Sequence, residues 1–147
     1  MWVDALHIGH YDALYVIAKT SDPFFSGGIS QFHDSMNKKT GFVIVNNGGQ
    51  IIGYITFSNY TPLSNALMQV AIDVNCNEQW IVKDVLDKVF EYAFIELALP
   101  RVSAWCAEGQ NDLYLLEMGF QQEGVIRQGC NTAAGIFVQA SSTIAGN

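Results

Sequence analysis

Positively charged residues are scarce in this chain. Its 147 residues include seven lysines and arginines against 14 aspartates and glutamates, which gives a net charge of −7. The seven cations are scattered along the sequence and form no basic stripe, so no nucleic-acid partner is expected. An acidic chain also repels anionic membrane surfaces, and we expect no membrane partner either.

Long apolar runs and paired cysteines are also missing. No segment reaches the roughly 20 apolar residues that a membrane-spanning helix needs, and the opening MWVDALHIGHYDALY has no basic leader region. The three cysteines, Cys76, Cys106 and Cys130, form no C-x-x-C pair and are odd in number, which favours free thiols in a reducing compartment. These absences predict a cytoplasmic protein.

Several common catalytic motifs are absent as well. The sequence contains no P-loop, no G-x-S-x-G elbow and no H-E-x-x-H pair. His7, His10 and His33 lack metal-ligand spacing with an acidic or cysteine partner, so no metal site is predicted.

The composition is that of one folded domain over residues 1–147. Half of the residues are hydrophobic, and a chain of this length can bury a self-sufficient core. Only 14% are charged, which is low for a domain surface and favours a surface covered by a partner, such as a second copy in a homodimer.

Hydrophobic periodicity and turn residues predict eleven elements in the order β-α-α-β-β-β-α-β-α-β-β. A hairpin turn is expected at Asn46–Gly49, because these residues tolerate positive φ. The strongest helix is predicted over Trp80–Ala98, where apolar residues form one continuous stripe. The predicted strands are Trp2–Ile8, Phe42–Val45, Ile51–Phe57, Ala66–Val74, Arg101–Ala107, Phe120–Arg127 and Gly135–Ala140, and the other helices are Tyr11–Thr20, Gly28–Lys39 and Asn111–Met118. This order predicts an α/β (α+β) fold with a mixed, largely antiparallel sheet of six to seven strands flanked by about four helices.

Three blocks of the sequence resemble the GNAT superfamily of N-acetyltransferases. They are GQIIGYITF (Gly49–Phe57), EYAFIELALPRVSAWC (Glu91–Cys106) and LLEMGFQQEGVIRQG (Leu115–Gly129), and they occur in the family's order. Within the superfamily they are most similar to the bacterial acetyltransferases of the RimJ/RimL type. The resemblance implies an acetyl-CoA-dependent N-acyltransferase acting on a primary amine, either a peptide N-terminus or a small amine.

In proteins of this family, acetyl-CoA lies in a V-shaped split between strands four and five, with its pyrophosphate on a glycine-rich loop before the long helix. The candidate cofactor-binding residues are Ile72, Val74, Asn77, Gln79, Trp80, Ile81, Val82 and Asn111. The family's asparagine after strand five falls on Glu108 here, and Asn111 is the asparagine nearest to that position. Trp80 and Val82 stand where the family has a glycine and another small residue. Glu78 and Asp84 add negative charge beside the expected phosphate, with Lys83 as counter-charge.

Acyl transfer to an amine requires a base, and two residues are candidates for the catalytic roles. The family's tyrosine position falls on Leu115 here, next to Tyr114. Asp73, near the end of strand four, is the candidate general base, and Tyr114, in the short helix, is the candidate acid for the leaving thiolate. Each has a structural alternative: Asp73 as the cap of a turn at the strand end, and Tyr114 as a half-buried packing residue.

Two functions therefore stay open at the level of sequence. The first is an active N-acyltransferase with an altered phosphate loop, whose acceptor the acidic chain would bias towards a cation. The second is a GNAT-fold binding or structural protein that has lost CoA, encoded by a phage or mobile element.

Overall fold

A computed structural model describes residues 1–22, 25–58, 65–107, 113–126 and 134–140. Its helices are α1 (Tyr11–Ser21), α2 (Ile29–Met36), α3 (Lys83–Glu91) and α4 (Leu113–Glu117), with a 3₁₀ turn at Ile8–His10 and a π-helical turn at Tyr92–Glu96. The strands are β1 (Trp2–Ala5), β2 (Thr40–Val45), β3 (Ile51–Ser58), β4 (Asn65–Ile72), β5 (Arg101–Ala107), β6 (Gln121–Ile126) and β7 (Ala134–Ala140).

The seven strands form one sheet in the order β1-β2-β3-β4-β5-β7-β6. Each pairing between described strands is antiparallel except that of β4 with β5, which is parallel because α3 crosses between them. The predicted mixed, largely antiparallel sheet with helices beside it is confirmed.

Each face of the sheet carries its own hydrophobic core. Helices α1 and α2 cover one face, where Leu14 and Phe32 pack with Tyr54 of β3. Helix α3 covers the other face, where Val85 and Val89 pack with Met68 of β4. We call these the α1–α2 face and the α3 face. Since β4 contributes side chains to both cores, it is held as a central strand.

The predicted helix over Trp80–Ala98 is shorter than expected. Val82 has an extended backbone (φ −128°, ψ 158°), and the helix begins only at Lys83. The side chains of Trp80, Ile81 and Val82 all pack against the α3-face core. Consecutive side chains of a helix point about 100° apart, so a helix could not direct all three to the same core. Past Glu91 the helix widens into the π-helical turn, in which the Leu97 amide donates to the Tyr92 carbonyl at 2.8 Å.

Several strand boundaries also differ from the prediction by one to three residues, those of β1 and β4 among them. β1 ends at Ala5, because His7 caps the following 3₁₀ turn by accepting the Gly9 amide on Nδ1 at 3.1 Å. β4 ends at Ile72, so Val74 lies outside the strand in which it was predicted.

Glycine is required in β2 at the point where it crosses β3. Gly41 has a φ of +155°, and a Cβ placed there would lie 2.1 Å from the Ile55 carbonyl oxygen. Because the obstructing atom belongs to the backbone of the neighbouring strand, no side-chain movement can make room.

Candidate active site

The two central strands separate partway along their length. β4 and β5 pair from Asn65 with Arg101 to Met68 with Ala104, and no further pairing joins them among the described residues. β4 continues beside β3 as far as Ile72, and β5 continues beside β7 as far as Ala107. The facing edges of residues 69–72 and 105–107 therefore border a split between the two strands, about 13 Å long at the usual rise of a strand.

Strand edges that lack a partner strand present backbone N–H and C=O groups in a fixed row. An extended ligand with amide groups can hydrogen-bond to such a row as an additional strand would. The split can therefore bind a narrow, amide-bearing chain.

A surface cleft of about 480 Å³ lies on the α1–α2 face beside this split. Its wall is formed by α2 with Lys38 and Lys39, the second and third residues after the helix, and its floor by Ser58 of β3 with Leu67 and Gln69 of β4. Gln69 is the first residue of β4 beyond the paired segment, so the floor of the cleft reaches the apex of the split.

The cleft contains charged groups: Asp34 from α2, with Lys38 and Lys39 just after it. The half-buried Lys39 donates from Nζ to Oε1 of Gln69 at 2.5 Å. Burial lowers the pKa of Lys39, and the nearby Asp22 carboxylate opposes that shift.

Asp22 is itself tied to the core beneath the helices. The buried hydroxyl of Tyr54 donates to its Oδ2 at 2.8 Å. Burial raises the pKa of Tyr54 strongly, and the charge of Asp22 and this hydrogen bond add to the shift. The network connects α1, β3 and β4 behind the cleft.

The predicted base, Asp73, lies one residue past β4. Its amide donates to the Ile52 carbonyl at 2.8 Å, and its Oδ1 accepts the Asn75 amide at 3.0 Å. This is the turn-capping role left open at the level of sequence. Asp73 follows Met68 by five residues, which is roughly 16 Å from the apex of the split along an extended strand. Its catalytic role stays a prediction.

The loop predicted to hold a pyrophosphate is only partly equipped for it. No side-chain cap hydrogen bond is present at the start of α3, so the N–H groups of its first turn are not satisfied in that way. The exposed Lys83, expected as the counter-charge, donates instead to Asp87 Oδ2 at 2.5 Å. Glu78 Oε1 accepts from Asn46 Nδ2 at 3.2 Å, which connects this loop to the β2–β3 turn.

The remaining predicted cofactor residues are dispersed. Ile72 is the last residue of β4 and lies at the open end of the split, whereas Val74, Asn77 and Gln79 are exposed in the loop that follows. Trp80, with Ile81 and Val82, is half-buried against the α3-face core.

Two predicted site residues cannot be placed. Asn111 lies outside the described residues, and Tyr114 lies in α4 with its side chain outside the described part.

Reasoning from sequence missed the cleft. Its residues come from a weak helix and the middle of an apolar strand, neither of which carries a motif. One signal was visible: Lys38 and Lys39 are the only adjacent cations in a chain with seven.

The described residues contain no cluster of three or more His, Cys, Asp or Glu side chains that could hold a metal ion. Over the same residues, no helix combines the length and apolar character needed to cross a bilayer.

The fold is similar to that of solved spermidine N-acetyltransferases of the GNAT superfamily. A point mutant of the SpeG enzyme from Vibrio cholerae superposes with a TM-score of 0.76 at 16% identity, covering 96% of this chain and 94% of that one. The Vibrio cholerae spermidine/spermine N-acetyltransferase SpeG in complex with manganese ions gives 0.74 at 16% identity, covering 98% and 94%. A dodecameric form from the same organism gives 0.75 at 16% identity, covering 97% and 94%.

At this identity the likeness shows the fold alone. It confirms the GNAT-like architecture and gives no support to the RimJ/RimL branch. No protein-family model and no curated protein matches the sequence.

Proposed function

We propose that this chain is an acetyl-CoA-dependent N-acyltransferase acting on a primary amine. The observation that carries the proposal is the end of the β4–β5 pairing at Met68 and Ala104, which leaves a split with a ligand-sized cleft beside it. An acyltransferase needs two ligands to meet at one point, and the split and the cleft meet at Gln69. That the neighbouring structures are amine acetyltransferases supports the same class of reaction.

The split fits the pantetheine arm of the cofactor. That arm is narrow and carries two amides, which can pair with the free edges of residues 69–72 and 105–107 as an added strand does. The start of α3 fits the pyrophosphate less well. It offers the helix dipole and a first turn without a side-chain cap, although the Val85 amide already donates to the Val82 carbonyl at 3.1 Å. No glycine occurs between Gly53 and Gly109, and Asp84 stands in the first turn.

Bound acetyl-CoA would supply an acyl group activated as a thioester. The chain's part is to bind the cofactor along β4, to hold the amine in the cleft, and to take up the proton that the amine loses. Among the cleft residues, Asp34 carries the carboxylate that can accept this proton directly or through a water. Asp73, at the other end of β4, stays the alternative base.

The two candidate bases can be separated by substitution. If Asp34 accepts the proton, Asp34→Asn lowers the rate of acyl transfer while Asp73→Asn changes the rate little. The reverse result would assign the base to Asp73. Equal rates in wild type and both variants would remove both carboxylates from the mechanism.

The uneven fit of the split and the phosphate loop gives a direct test of the proposal. We expect acetyl-pantetheine, which lacks the pyrophosphate and the nucleotide, to support acyl transfer to an amine, since the best-formed part of the site binds the arm it retains. ADP should compete only weakly. Acyl transfer is measured as thiol release, with the acylated amine verified by mass spectrometry. No thiol release with acetyl-CoA across a panel of primary amines would refute the proposal and favour a GNAT-fold protein without CoA.

A further inference from the structure

The cleft beside α2 has a charge balance opposite to that of the whole chain. Acidic residues outnumber lysines and arginines by 14 to seven over the sequence. On the cleft wall, Lys38 and Lys39 stand against the single carboxylate of Asp34. Two of the chain's seven cations therefore lie on a cleft whose floor reaches the split.

Lys39 lies half-buried on the wall of the cleft, with its ammonium close to the floor. Its ammonium has three N–H donors and makes its recorded hydrogen bond to Gln69. Burial lowers its pKa, and Asp22 only partly offsets that effect. A negatively charged ligand group in the cleft would supply the compensation that Asp22 does not complete.

One polar group buried beneath the cleft has no hydrogen-bond partner among the described residues. Thr56 lies directly across from Gln69 in the β3–β4 pairing, so both side chains lie on the α1–α2 face. Its hydroxyl is buried and has no hydrogen-bond partner among the described residues. Because Thr56 is fully buried, a ligand in the cleft does not reach this hydroxyl, and it is the two lysines on the wall that point to an anionic ligand.

We propose that the acceptor amine carries a carboxylate that binds Lys38 and Lys39, and that polyamines are poor acceptors for this chain. The inference rests on the proposed function, since it names the substrate class for the same site. It departs from the solved neighbours, whose acceptor is spermidine. A polyamine would bring further positive charge beside two ammonium groups, which Coulomb repulsion disfavours.

Three amines of similar length isolate the effect of the charge. They are 4-aminobutanoate, with an anionic end, butylamine, with a neutral end, and 1,4-diaminobutane, with a cationic end. We expect kcat/KM with acetyl-CoA to fall in that order, with at least about a tenfold difference between the first and the last, as one charge-assisted hydrogen bond provides. Equal or better use of the diamine would overturn the proposal.

Variants assign the preference to the two lysines. Lys38→Gln and Lys39→Met should each lower kcat/KM for 4-aminobutanoate by about tenfold and leave that for butylamine nearly unchanged. Lys88→Gln, an exposed lysine of α3 remote from the cleft, is the matched control and should change neither value. Lys38 is exposed, so its variant should fold even if the half-buried Lys39 does not tolerate substitution. Equal losses for both amines would show that the lysines do not recognise the carboxylate.

Direct binding separates the failure of this inference from the failure of the proposed function. Chemical-shift titration of the protein with each amine, without acetyl-CoA, measures the cleft alone, and a separate titration with acetyl-CoA measures the split. If acetyl-CoA binds and the diamine binds as well as 4-aminobutanoate, the inference fails and the function stands. If 4-aminobutanoate binds preferentially and acetyl-CoA does not bind, the function fails and the anion preference of the cleft stands.

Discussion

Removal of the Tyr54 hydroxyl tests the polar network behind the cleft. Tyr54 is 1% exposed, and its hydroxyl donates to Asp22 Oδ2 at 2.8 Å. A hydrogen bond to a charged acceptor contributes about 1.5–3 kcal/mol. Tyr54→Phe should therefore lower the free energy of unfolding by about 2 kcal/mol. For a domain of this size that corresponds to a fall in Tm of roughly 4–8 °C.

Tyr15→Phe is the matched control for this change. Tyr15 belongs to the same aromatic cluster on the α1–α2 face, but its hydroxyl has no hydrogen bond recorded among the described residues. Its removal should shift Tm by less than about 1 °C, as a substitution without a lost interaction does. Far-UV circular dichroism measures both variants, with urea denaturation giving the free energy of unfolding and thermal denaturation giving Tm.

A double-mutant cycle with Asp22→Asn separates the hydrogen bond from general effects of substitution. Because Tyr54 and Asp22 are in contact, we expect a coupling free energy of at least about 1 kcal/mol. A coupling below about 0.5 kcal/mol, or equal losses in Tyr54→Phe and Tyr15→Phe, would refute the assignment.

Three further predictions concern pH, packing and the start of α3. Tyr54 has a raised pKa in the folded state, so its hydroxyl contributes fully to the free energy of unfolding below the unfolded tyrosine pKa of about 10. That contribution is lost as the pH rises above this value. The free energy of unfolding should therefore fall more steeply above pH 10 in the wild type than in Tyr54→Phe. Gly41→Ala should lower the free energy of unfolding by at least about 2 kcal/mol, because the new Cβ would meet a backbone carbonyl. Gly48→Ala is the control and should be tolerated, since its Cβ would make a contact of 3.4 Å. Equal effects of the two substitutions would contradict the packing described. Asp84→Asn removes a negative charge from the first turn of α3 and should tighten acetyl-CoA binding roughly two- to fivefold in calorimetry. Glu91→Gln, at the far end of that helix, is the control and should leave the binding unchanged. Unchanged binding in both variants would place the pyrophosphate elsewhere.

Elements specified by local chemistry could be predicted from the sequence. The turn at Asn46–Gly49 forms as expected: Asn46 Oδ1 accepts the amides of Gly48 and Gln50, and Gly49 takes a φ of +82°. The start of α3 at Lys83, rather than at Trp80, could not be predicted in the same way. The apolar periodicity predicts that Trp80, Ile81 and Val82 belong to the helix, but their packing on the α3-face core keeps them out of it. That packing depends on strands that are distant in the sequence.

The candidate site depends even more on distant contacts. The end of the β4–β5 pairing is a property of two strands joined through α3, and no local pattern marks Met68 as its limit. The pair Lys38-Lys39 is visible in the sequence, but its meaning follows only once Lys39 reaches Gln69, 30 residues away. The acidic composition favoured a cationic acceptor, and the charge of the cleft favours the opposite, because a ligand responds to the groups it contacts more than to the net charge.

Calorimetric titration of the wild-type chain with acetyl-CoA tests the central claim most directly. If the split between β4 and β5 is a cofactor site, one molecule of acetyl-CoA should bind per chain with a micromolar Kd. Acetyl-pantetheine should bind more weakly at the same site and be displaced by acetyl-CoA. No detectable heat or displacement at millimolar acetyl-CoA would contradict the account and leave the split without its proposed ligand.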